Sequence, residues 1–272
     1  MGIVSIDSIM VASGPKVESL GGGALNIAVG YKVCGGEPII VSVVGTDLSG
    51  EFLTFIMSHF GGSSIKQVGG QTCRFELHYD DLELTPRILS FTGVANCLTE
   101  YALTLRYVTS RVHVCCTMPV ASDRVFDHVI KQGVRKMSAS FILGSFKEHF
   151  SQVIPFLNYI EYIFINEAEF GLLREVAHPS RIPSTLIVTM GSRGSCAIRG
   201  GEVIHEQPAT ATSGIQDTTG AGDVYIGSFL ASVEKGLELE QAMEQASFIS
   251  AKSICQFGVS HLLSSSSERN YI

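Results

Sequence analysis

The chain has 272 residues, of which 45% are hydrophobic, and carries a formal net charge of −7. This length fits one large α/β domain or two small ones, with enough apolar side chains for a large buried core. The acidic balance without a basic block argues against nucleic acid as a partner. No apolar run approaches the ~20 residues that cross a bilayer, and the N-terminus lacks a secretion-signal pattern, so we expect a soluble cytoplasmic protein with no membrane partner.

Strand-like and helix-like stretches alternate along the chain. The apolar runs predict buried strands at 38–44, 111–116, 161–165 and 185–190. The helical patterns follow Gly45 up to about Phe60, lie near 122–133, and end the chain at about 222–235 and 238–257. Buried strands that alternate with helices predict an α/β fold with a mainly parallel central sheet and helices on both faces.

One region breaks this alternation. Residues 74–79 and 87–91 have the composition of half-exposed strands joined by an acidic turn, and residues 8–20 add another short strand. We interpret them as a small antiparallel sheet that projects from a single domain over 1–272, with a lid formed by about 8–20 and 71–92. The run SSSS at 264–267 predicts a frayed tail.

The seven cysteines are odd in number and contain no Cys-x-x-Cys pair, which favours reduced thiols. His113 lies near Cys115 and Cys116, a combination that could ligate a metal. Because the surrounding VHVCC run is typical of a buried strand, packing in the core is the favoured interpretation.

The most informative segment is DTTGAGD at 217–223. Gly220 and Gly222 allow a sharp turn and a close approach of backbone N–H groups to a ligand. An apolar helix follows, and its N-terminus offers unsatisfied donors and partial positive charge. Together they predict a site for a transferring phosphate, beside which Asp223 could accept a proton from a hydroxyl. The alternative is that Asp223 only caps the helix.

Four further segments each combine a strand or turn with polar or glycine residues. GGGALN at 21–26 opens a helix, and Asn26 can both donate and accept hydrogen bonds to hydroxyls. GTDLSG at 45–50 lies between a strand and a helix. NEAE at 166–169 offers a carboxylate that could hold hydrated Mg²⁺, although helix-start chemistry explains it equally well. TMGSRG at 189–194 could face nucleotide phosphates or form an ordinary tight turn.

In this order the five segments resemble the ribokinase-type (PfkB) family of carbohydrate and nucleoside kinases, over about Gly2 to Gly258. The resemblance implies an ATP-dependent kinase of a small sugar-like substrate, a central parallel sheet and a small β lid that could also form a homodimer. It implies Asp223 as catalytic base, with an anion hole formed by Gly220, Ala221 and Gly222. It places the sugar at Asp7, Gly22, Gly23 and Asn26, and ATP at Thr189, Gly191 and Gly194. Asn166 and Glu169 match the family's motif associated with Mg²⁺ and phosphate, with Glu169 acting through water. Asp217 matches a position that helps some members bind a monovalent cation such as K⁺.

Within the family, GGGALNIAVGY and SAKSICQFG resemble the short members that include fructoselysine 6-kinase, so a fructosyl-amine is a candidate acceptor. A nucleoside or another sugar or polyol is the alternative within the family. Three departures bear on this: Gly23 replaces a polar residue, Ser140 falls where many members have an acid, and Gly2 aligns just after the usual body of the first strand. The last departure predicts either a start upstream of Met1 or a trimmed central strand.

Three other classes of protein share parts of this pattern. A Rossmann dehydrogenase needs G-x-G-x-x-G after its first strand, and a P-loop kinase needs G-x-x-x-x-G-K-[ST]; neither pattern occurs at its required place. A degenerate kinase fold that only senses or binds sugar is the non-enzymatic alternative. The intact DTTGAGD argues against it, because a binding protein has no use for the base.

Overall fold

The structure is a computed structural model that describes residues 1–11, 16–79 and 87–264. The chain forms two compact units: Met1–Gly2 with Asn96–Ala209, called unit 1 below, and Ile3–Ala95 with the chain from Thr210 onward, called unit 2. The strands are β1 Ser5–Val11, β2 Val17–Gly21, β3 Val41–Gly45, β4 Ser64–Val68, β5 Cys73–Tyr79, β6 Arg87–Phe91, β7 Arg111–Cys116, β8 Lys136–Phe141, β9 Ile160–Asn166, β10 Thr185–Thr189, β11 Ser195–Arg199 and β12 Glu202–Gln207. The helices are α1 Gly23–Val33, α2 Gly50–His59, α3 Leu98–Thr104, α4 Ser122–Lys131, α5 Phe146–Val153, α6 Glu167–Val176, α7 Ala221–Glu234, α8 Leu239–Ser253 and α9 His261–Ser264.

Unit 1 is built on a six-stranded sheet in the order β12-β11-β10-β9-β8-β7. Strands β7 to β10 are parallel, and β11 and β12 join antiparallel. Parallel strands are normally covered on both faces and read as continuous apolar runs, which is why VHVCC and IEYIFIN form the strands β7 and β9, on either side of β8. Helix α5 packs its apolar face on β8: the ring of Phe146 lies 5.2 Å from Phe141 and 5.4 Å from Phe150 between centroids.

The first residue of the chain contacts the backbone of β7. The Met1 ammonium donates to the carbonyl of His113 at 2.7 Å, and Cys115 N–H donates to the carbonyl of Met1 at 3.0 Å. Residues 1–4 are not assigned as strand. Ile3 and Val4 are nevertheless buried, so these apolar side chains contribute to the core.

Unit 2 contains two sheets and the helices α1, α2, α7, α8 and α9. The four-stranded sheet has the order β2-β1-β5-β6, and the two-stranded sheet pairs β3 with β4 in parallel. Helices α1 and α7 cross closely because Gly30 and Gly227 lie at their contact. A Cβ at Gly227 would lie 1.9 Å from the carbonyl oxygen of Ile27, and one at Gly30 would lie 2.3 Å from that of Val224.

The structure confirms the alternation of strands and helices, but some elements begin or end at residues other than those predicted. The strand predicted at 111–116 has those bounds, whereas the strand predicted from 38 begins at Val41. Pro38 has no N–H to donate to a ladder, and the N–H of Ile40 donates to Ser63 Oγ at 3.0 Å. The last long helix ends at Ser253 rather than near 257. The carbonyl of Ile254 there accepts the N–H groups of Gln216 and Asp217, so the chain leaves the helix to meet that loop.

The projecting sheet, called the lid below, was predicted as antiparallel and is mixed. Its β1 and β5 run parallel, with Asp7 opposite Phe75, whereas β1–β2 and β5–β6 are antiparallel. The prediction was wrong because β1 and β5 lie more than 60 residues apart, and local patterns carry no information on such pairing. The predicted acidic turn lies outside the described residues, and so does the SSSS tail except for Ser264, the last residue of α9.

His113 lies on β7 beside two serines of β8. Its Nδ1 is 2.9 Å from Ser138 Oγ and its Nε2 is 3.1 Å from Ser140 Oγ, so both ring nitrogens have partners. Burial holds its pKa well below the usual value. Cys115 and Cys116 are buried in the core, and the described part of the chain contains no cluster of three or more metal-ligating His, Cys, Asp or Glu residues. Nor does any described helix have both the length and the apolar character to cross a membrane.

Candidate active site

The segment 217–223 forms the N-terminus of α7 in unit 2. Gly220 is the N-cap residue and adopts a left-handed conformation, with φ of 75°. A side chain there would clash, because its Cβ would lie 2.4 Å from Asn26 Nδ2. Ala221 N–H donates to Thr218 O at 3.3 Å, and Gly222 is exposed with open space beside its Cα. Since the first N–H groups of a helix have no partner within it, this turn is suited to receive an anion.

Asp223 lies in the first turn of α7 and does not cap it. The helix has no side-chain cap, and the Asp223 carboxylate instead accepts a hydrogen bond from Asn26 Nδ2 at 3.3 Å. Burial raises the pKa of Asp223 to about 6, with the bond from Asn26 acting in the opposite direction. The structure therefore brings together DTTGAGD and GGGALN, two segments nearly 200 residues apart.

Asn26 is held in the first turn of α1, where its N–H donates to Gly22 O at 3.0 Å. Its side chain is buried, and its Oδ1 has no hydrogen-bond partner among the described residues. A buried amide oxygen without a partner is unfavourable in the free protein. A hydroxyl group of a ligand could donate to it.

Asp7 lies on β1 beside the same glycine segment. Its Oδ1 accepts a hydrogen bond from Ser5 Oγ at 2.6 Å, and its carboxyl also accepts one from the backbone of Gly22. Gly21 is required at its position, since a Cβ there would lie 1.8 Å from Asp7 Oδ2. Gly22 has φ of 87°, and Gly23 then opens α1.

Three carboxyl groups gather in this part of unit 2. The pKa of Asp7 is raised to about 7, mainly by burial and further by the charges of Asp217 and Asp223. Asp217 is buried, and its two oxygens accept backbone N–H groups from Thr219 at 2.9 Å and Gly258 at 3.0 Å. Through these hydrogen bonds Asp217 connects the turn before α7 to the chain after α8.

Unit 1 places Asn166 and Glu169 at the start of α6, directly after β9. They form a capping box: Glu169 N–H donates to Asn166 Oδ1 at 2.9 Å, and Asn166 N–H donates to Glu169 Oε2 at 2.8 Å. The alternative stated in the sequence analysis, that these residues begin a helix, is therefore confirmed. The role of the Glu169 carboxylate in holding hydrated Mg²⁺ stays a prediction.

Thr189 ends β10 and is paired with Asn166, so the NEAE and TMGSRG segments are neighbours at the carboxyl ends of two parallel strands. After Thr189 the chain forms a tight turn in which Met190 N–H donates to Gly194 O at 2.8 Å. Gly191 has φ of 59° with free space beside it, whereas a Cβ at Gly194 would lie 2.0 Å from the carbonyl oxygen of Gln207. Ligands of α/β proteins commonly bind at such strand ends.

Two residues with clear contacts were missed in the sequence. Ser5 donates to Asp7, and its two-residue spacing on a strand could have revealed that both side chains share a face. Asp47, in GTDLSG, accepts hydrogen bonds from Thr72 N–H and Oγ1, each at 2.7 Å, and from Arg74 at 3.1 Å. Asp47 thereby fastens the base of lid strand β5, a contact that no local pattern indicates.

The fold and site define an α/β kinase of the ribokinase-like class: a sheet flanked by helices, a β lid, and a carboxylate at a glycine-rich helix N-terminus. Among solved structures, the chain is similar to the nucleoside kinase of Burkholderia thailandensis in complex with inosine, with a TM-score of 0.82, 20% identity, and coverage of 95% of this chain and 90% of that one. It is also similar to ribokinase from Cryptococcus neoformans in complex with ADP, with a TM-score of 0.78, 17% identity, and coverage of 96% and 94%.

A family model described as the pfkB family carbohydrate kinase matches residues 8–265, and the chain belongs to this family of phosphotransferases. The cytidine kinase of Thermococcus kodakarensis is 24% identical over 258 residues, which cover 89% of this chain and 90% of that protein. The fructosamine kinase of Bacillus subtilis is 24% identical over 247 residues, covering 88% and 84%. The fructoselysine 6-kinase of Shigella flexneri is 35% identical, but over only 106 residues, 39% of this chain and 40% of that protein.

Proposed function

We propose that this kinase transfers the γ-phosphate of ATP to a hydroxyl group on a small sugar or sugar derivative, with Asp223 as the general base. The observation that carries the proposal is the contact between Asp223 and Asn26 at the N-terminus of α7. It joins a proton acceptor, a hydroxyl-binding amide and a set of anion-binding N–H groups within a few ångströms.

Asp223 is suited to accept the proton of the attacking hydroxyl. A general base works best when its pKa lies near the operating pH, and burial raises the pKa of Asp223 to about 6. At neutral pH the group is then mostly ionised and remains a stronger base than an exposed aspartate. Phosphoryl transfer has a loose transition state, so positioning and charge stabilisation do most of the work.

The turn over Gly220, Ala221 and Gly222 would stabilise the charge that grows on the phosphoryl oxygens. Backbone N–H groups fixed at a helix N-terminus are preorganised donors that need no rearrangement during the reaction. The open space beside Gly222 leaves room for a phosphate.

Asp7, Gly22, Gly23 and Asn26 would hold the acceptor. Asp7 and Asn26 supply an acid and an amide for the hydroxyls, and the glycines let the backbone approach closely. Lid strand β1, which carries Asp7, would close over the acceptor and exclude water from the reacting groups.

Thr189, Gly191 and Gly194 would contact the nucleotide in unit 1. Mg²⁺ typically keeps several waters and uses one or two carboxylates together with substrate phosphates. The buried carboxylate of Glu169, with Asn166 beside it, fits such a water-mediated role. When bound, the ion would neutralise phosphate charge. Asp217 fits less well as a ligand of K⁺, because both of its oxygens accept backbone N–H groups, and no step is assigned to a monovalent cation.

The partners follow from the same site. The acceptor is a small molecule, either a fructosyl-amine, a nucleoside or another polyol; relatives of each of the first two kinds match most of this chain at equal identity. A homodimer through the lid is supported by edge strand β6, which exposes Leu89 and Phe91. We place the enzyme in the cytoplasm, as the composition suggests.

The proposal is tested by incubating the protein with ATP labelled at the γ-phosphate and a panel of sugars, nucleosides and fructosyl-amines. We expect label in one class of acceptor, with one ADP formed per labelled product. ADP without labelled acceptor would indicate hydrolysis only. Acceptor binding without any turnover would instead support the catalytically degenerate sugar-binding alternative and reject the proposal.

A further inference from the structure

One face of the lid combines Asp7 with an apolar and aromatic surface. Successive side chains of a strand point to opposite faces, so Ser5, Asp7 and Ile9 of β1 share one face. The register pairs Asp7 with Phe75 and Ile9 with Leu77 in parallel β5, which places these residues side by side at the spacing of neighbouring strands, about 5 Å.

The apolar residues of this surface also pack against one another in the structure. Ile9 and Leu77 are buried against each other, and two partly exposed rings pack on them: Phe75 from β5 and Phe257 from the chain after α8. Phe257 is followed by Gly258, whose N–H binds Asp217. Phe257 is thus one residue from a backbone contact of Asp217, and Phe75 is the register partner of Asp7.

Apart from Asp7, the charged side chains that the structure describes on β2 and β5 lie on the opposite face. Arg74 of β5 contacts Asp47 at 3.1 Å and Glu18 at 4.0 Å, and Glu18 of β2 is opposite Ser8, not Asp7, in the register. Among the lid side chains that the structure describes, no Lys or Arg shares the face of Asp7. The described side chains on this face therefore offer no cation to an amino-acid tail that carries a carboxylate.

We infer that the acceptor carries a flat, uncharged ring next to its sugar, and that it is a nucleoside whose base lies against Phe75. This inference rests on the proposed function, which places the sugar hydroxyls at Asp7. Bases stack on aromatic side chains through their π-faces, and Phe75 is the ring adjacent to Asp7. A fructosyl-lysine acceptor would place its charged amino-acid group on the same apolar surface, which is unfavourable.

The test compares substrates and a matched pair of variants. Wild-type protein is assayed with cytidine, inosine, D-ribose and fructoselysine, and nucleoside binding is measured by calorimetry. Phe75→Leu removes the ring and keeps an apolar side chain. Phe55→Leu makes the same change at a partly buried ring of α2, which contacts His59 and does not belong to the cluster of Ile9, Leu77, Phe75 and Phe257.

We expect kcat/KM for at least one of the two nucleosides to exceed that for ribose and fructoselysine by about tenfold or more. Phe75→Leu should raise the KM and the Kd of that nucleoside by about five- to tenfold, the range of one lost stacking contact. It should leave kcat within about twofold and the KM of ribose unchanged, whereas Phe55→Leu should change none of these.

Two results would overturn the inference: a tenfold preference for fructoselysine or ribose, or an equal effect of Phe75→Leu on ribose and nucleoside. Binding of a nucleoside that depends on Phe75 but is followed by no transfer would reject the proposed function and leave the inference standing. Absence of nucleoside binding would reject the inference even if another acceptor is phosphorylated.

Discussion

Replacing Asp7 by Asn should make the protein more stable, by an amount that grows with pH. Asp7 is 5% exposed, and burial together with the nearby Asp217 and Asp223 raises its pKa from 3.8 to about 7. Each pH unit of difference corresponds to about 1.4 kcal/mol. Full ionisation of Asp7 in the folded state therefore costs on the order of 4 kcal/mol.

The sign follows from proton binding. Between pH 3.8 and about 7 the folded protein keeps the Asp7 proton while the unfolded chain has lost it, so the folded state binds more protons and wild-type stability falls as pH rises through this window. Asn has no such proton. The gain in unfolding free energy from Asp7→Asn should thus be larger at pH 8 than at pH 5 by about 2.5 kcal/mol, the part of the window between these values.

Urea unfolding followed by circular dichroism at the two pH values measures this difference. The exposed substitution Asp123→Asn is the control and should change the unfolding free energy by under about 0.5 kcal/mol at both. If the gain from Asp7→Asn is the same at pH 5 and pH 8, Asp7 is not a buried, strained carboxyl, and the reasoning fails. Activity should fall in the same variant, which would show that the unfavourable burial of the Asp7 carboxyl serves binding of the acceptor.

Three further predictions concern the base, the helix crossing and the capping box. The kcat/KM of the wild-type enzyme should fall below about pH 6, approaching tenfold per pH unit, as Asp223 is protonated; a flat profile from pH 5 to 8 would argue against this base. Gly227→Ala should destabilise by about 2 kcal/mol or more, because its Cβ meets a carbonyl oxygen, whereas Gly171→Ala, with free space inside α6, should stabilise by up to about 1 kcal/mol in thermal unfolding. Asn166→Ala should lower the unfolding free energy by about 1 kcal/mol through loss of the α6 cap, and an unchanged melting temperature would contradict that contact.

The order of strands and helices could be predicted because it depends on local patterns. Residues 111–116 have an apolar run of strand length, and the glycines of TTGAG indicate a helix start, where Gly220 is the left-handed N-cap and Gly222 lies in the first turn of α7. Each of these signals is contained within a few consecutive residues. The same holds for Asn166 and Glu169, whose three-residue spacing is that of a capping box.

Contacts between segments that are distant in sequence could not be predicted from such local patterns. The parallel pairing of β1 with β5 and the bond between Asn26 and Asp223 depend on how the whole chain folds. Resemblance to a family placed Asn26 at the sugar and Asp223 as the base, but only the structure gave the bond between them. The face shared by Asp7 and Phe75 follows from the register of β1 and β5, which a one-residue shift would reverse.

The turnover of Asp223→Asn tests the central claim most directly. The amide keeps the shape of the carboxylate and can still contact Asn26, but it cannot accept the hydroxyl proton, and loss of a general base typically costs ~10²–10⁴-fold in rate. We predict that this variant folds, binds ATP and acceptor, and retains well under a tenth of the wild-type kcat. A variant that keeps more than about a tenth of the wild-type kcat would contradict the assignment of Asp223 as the base.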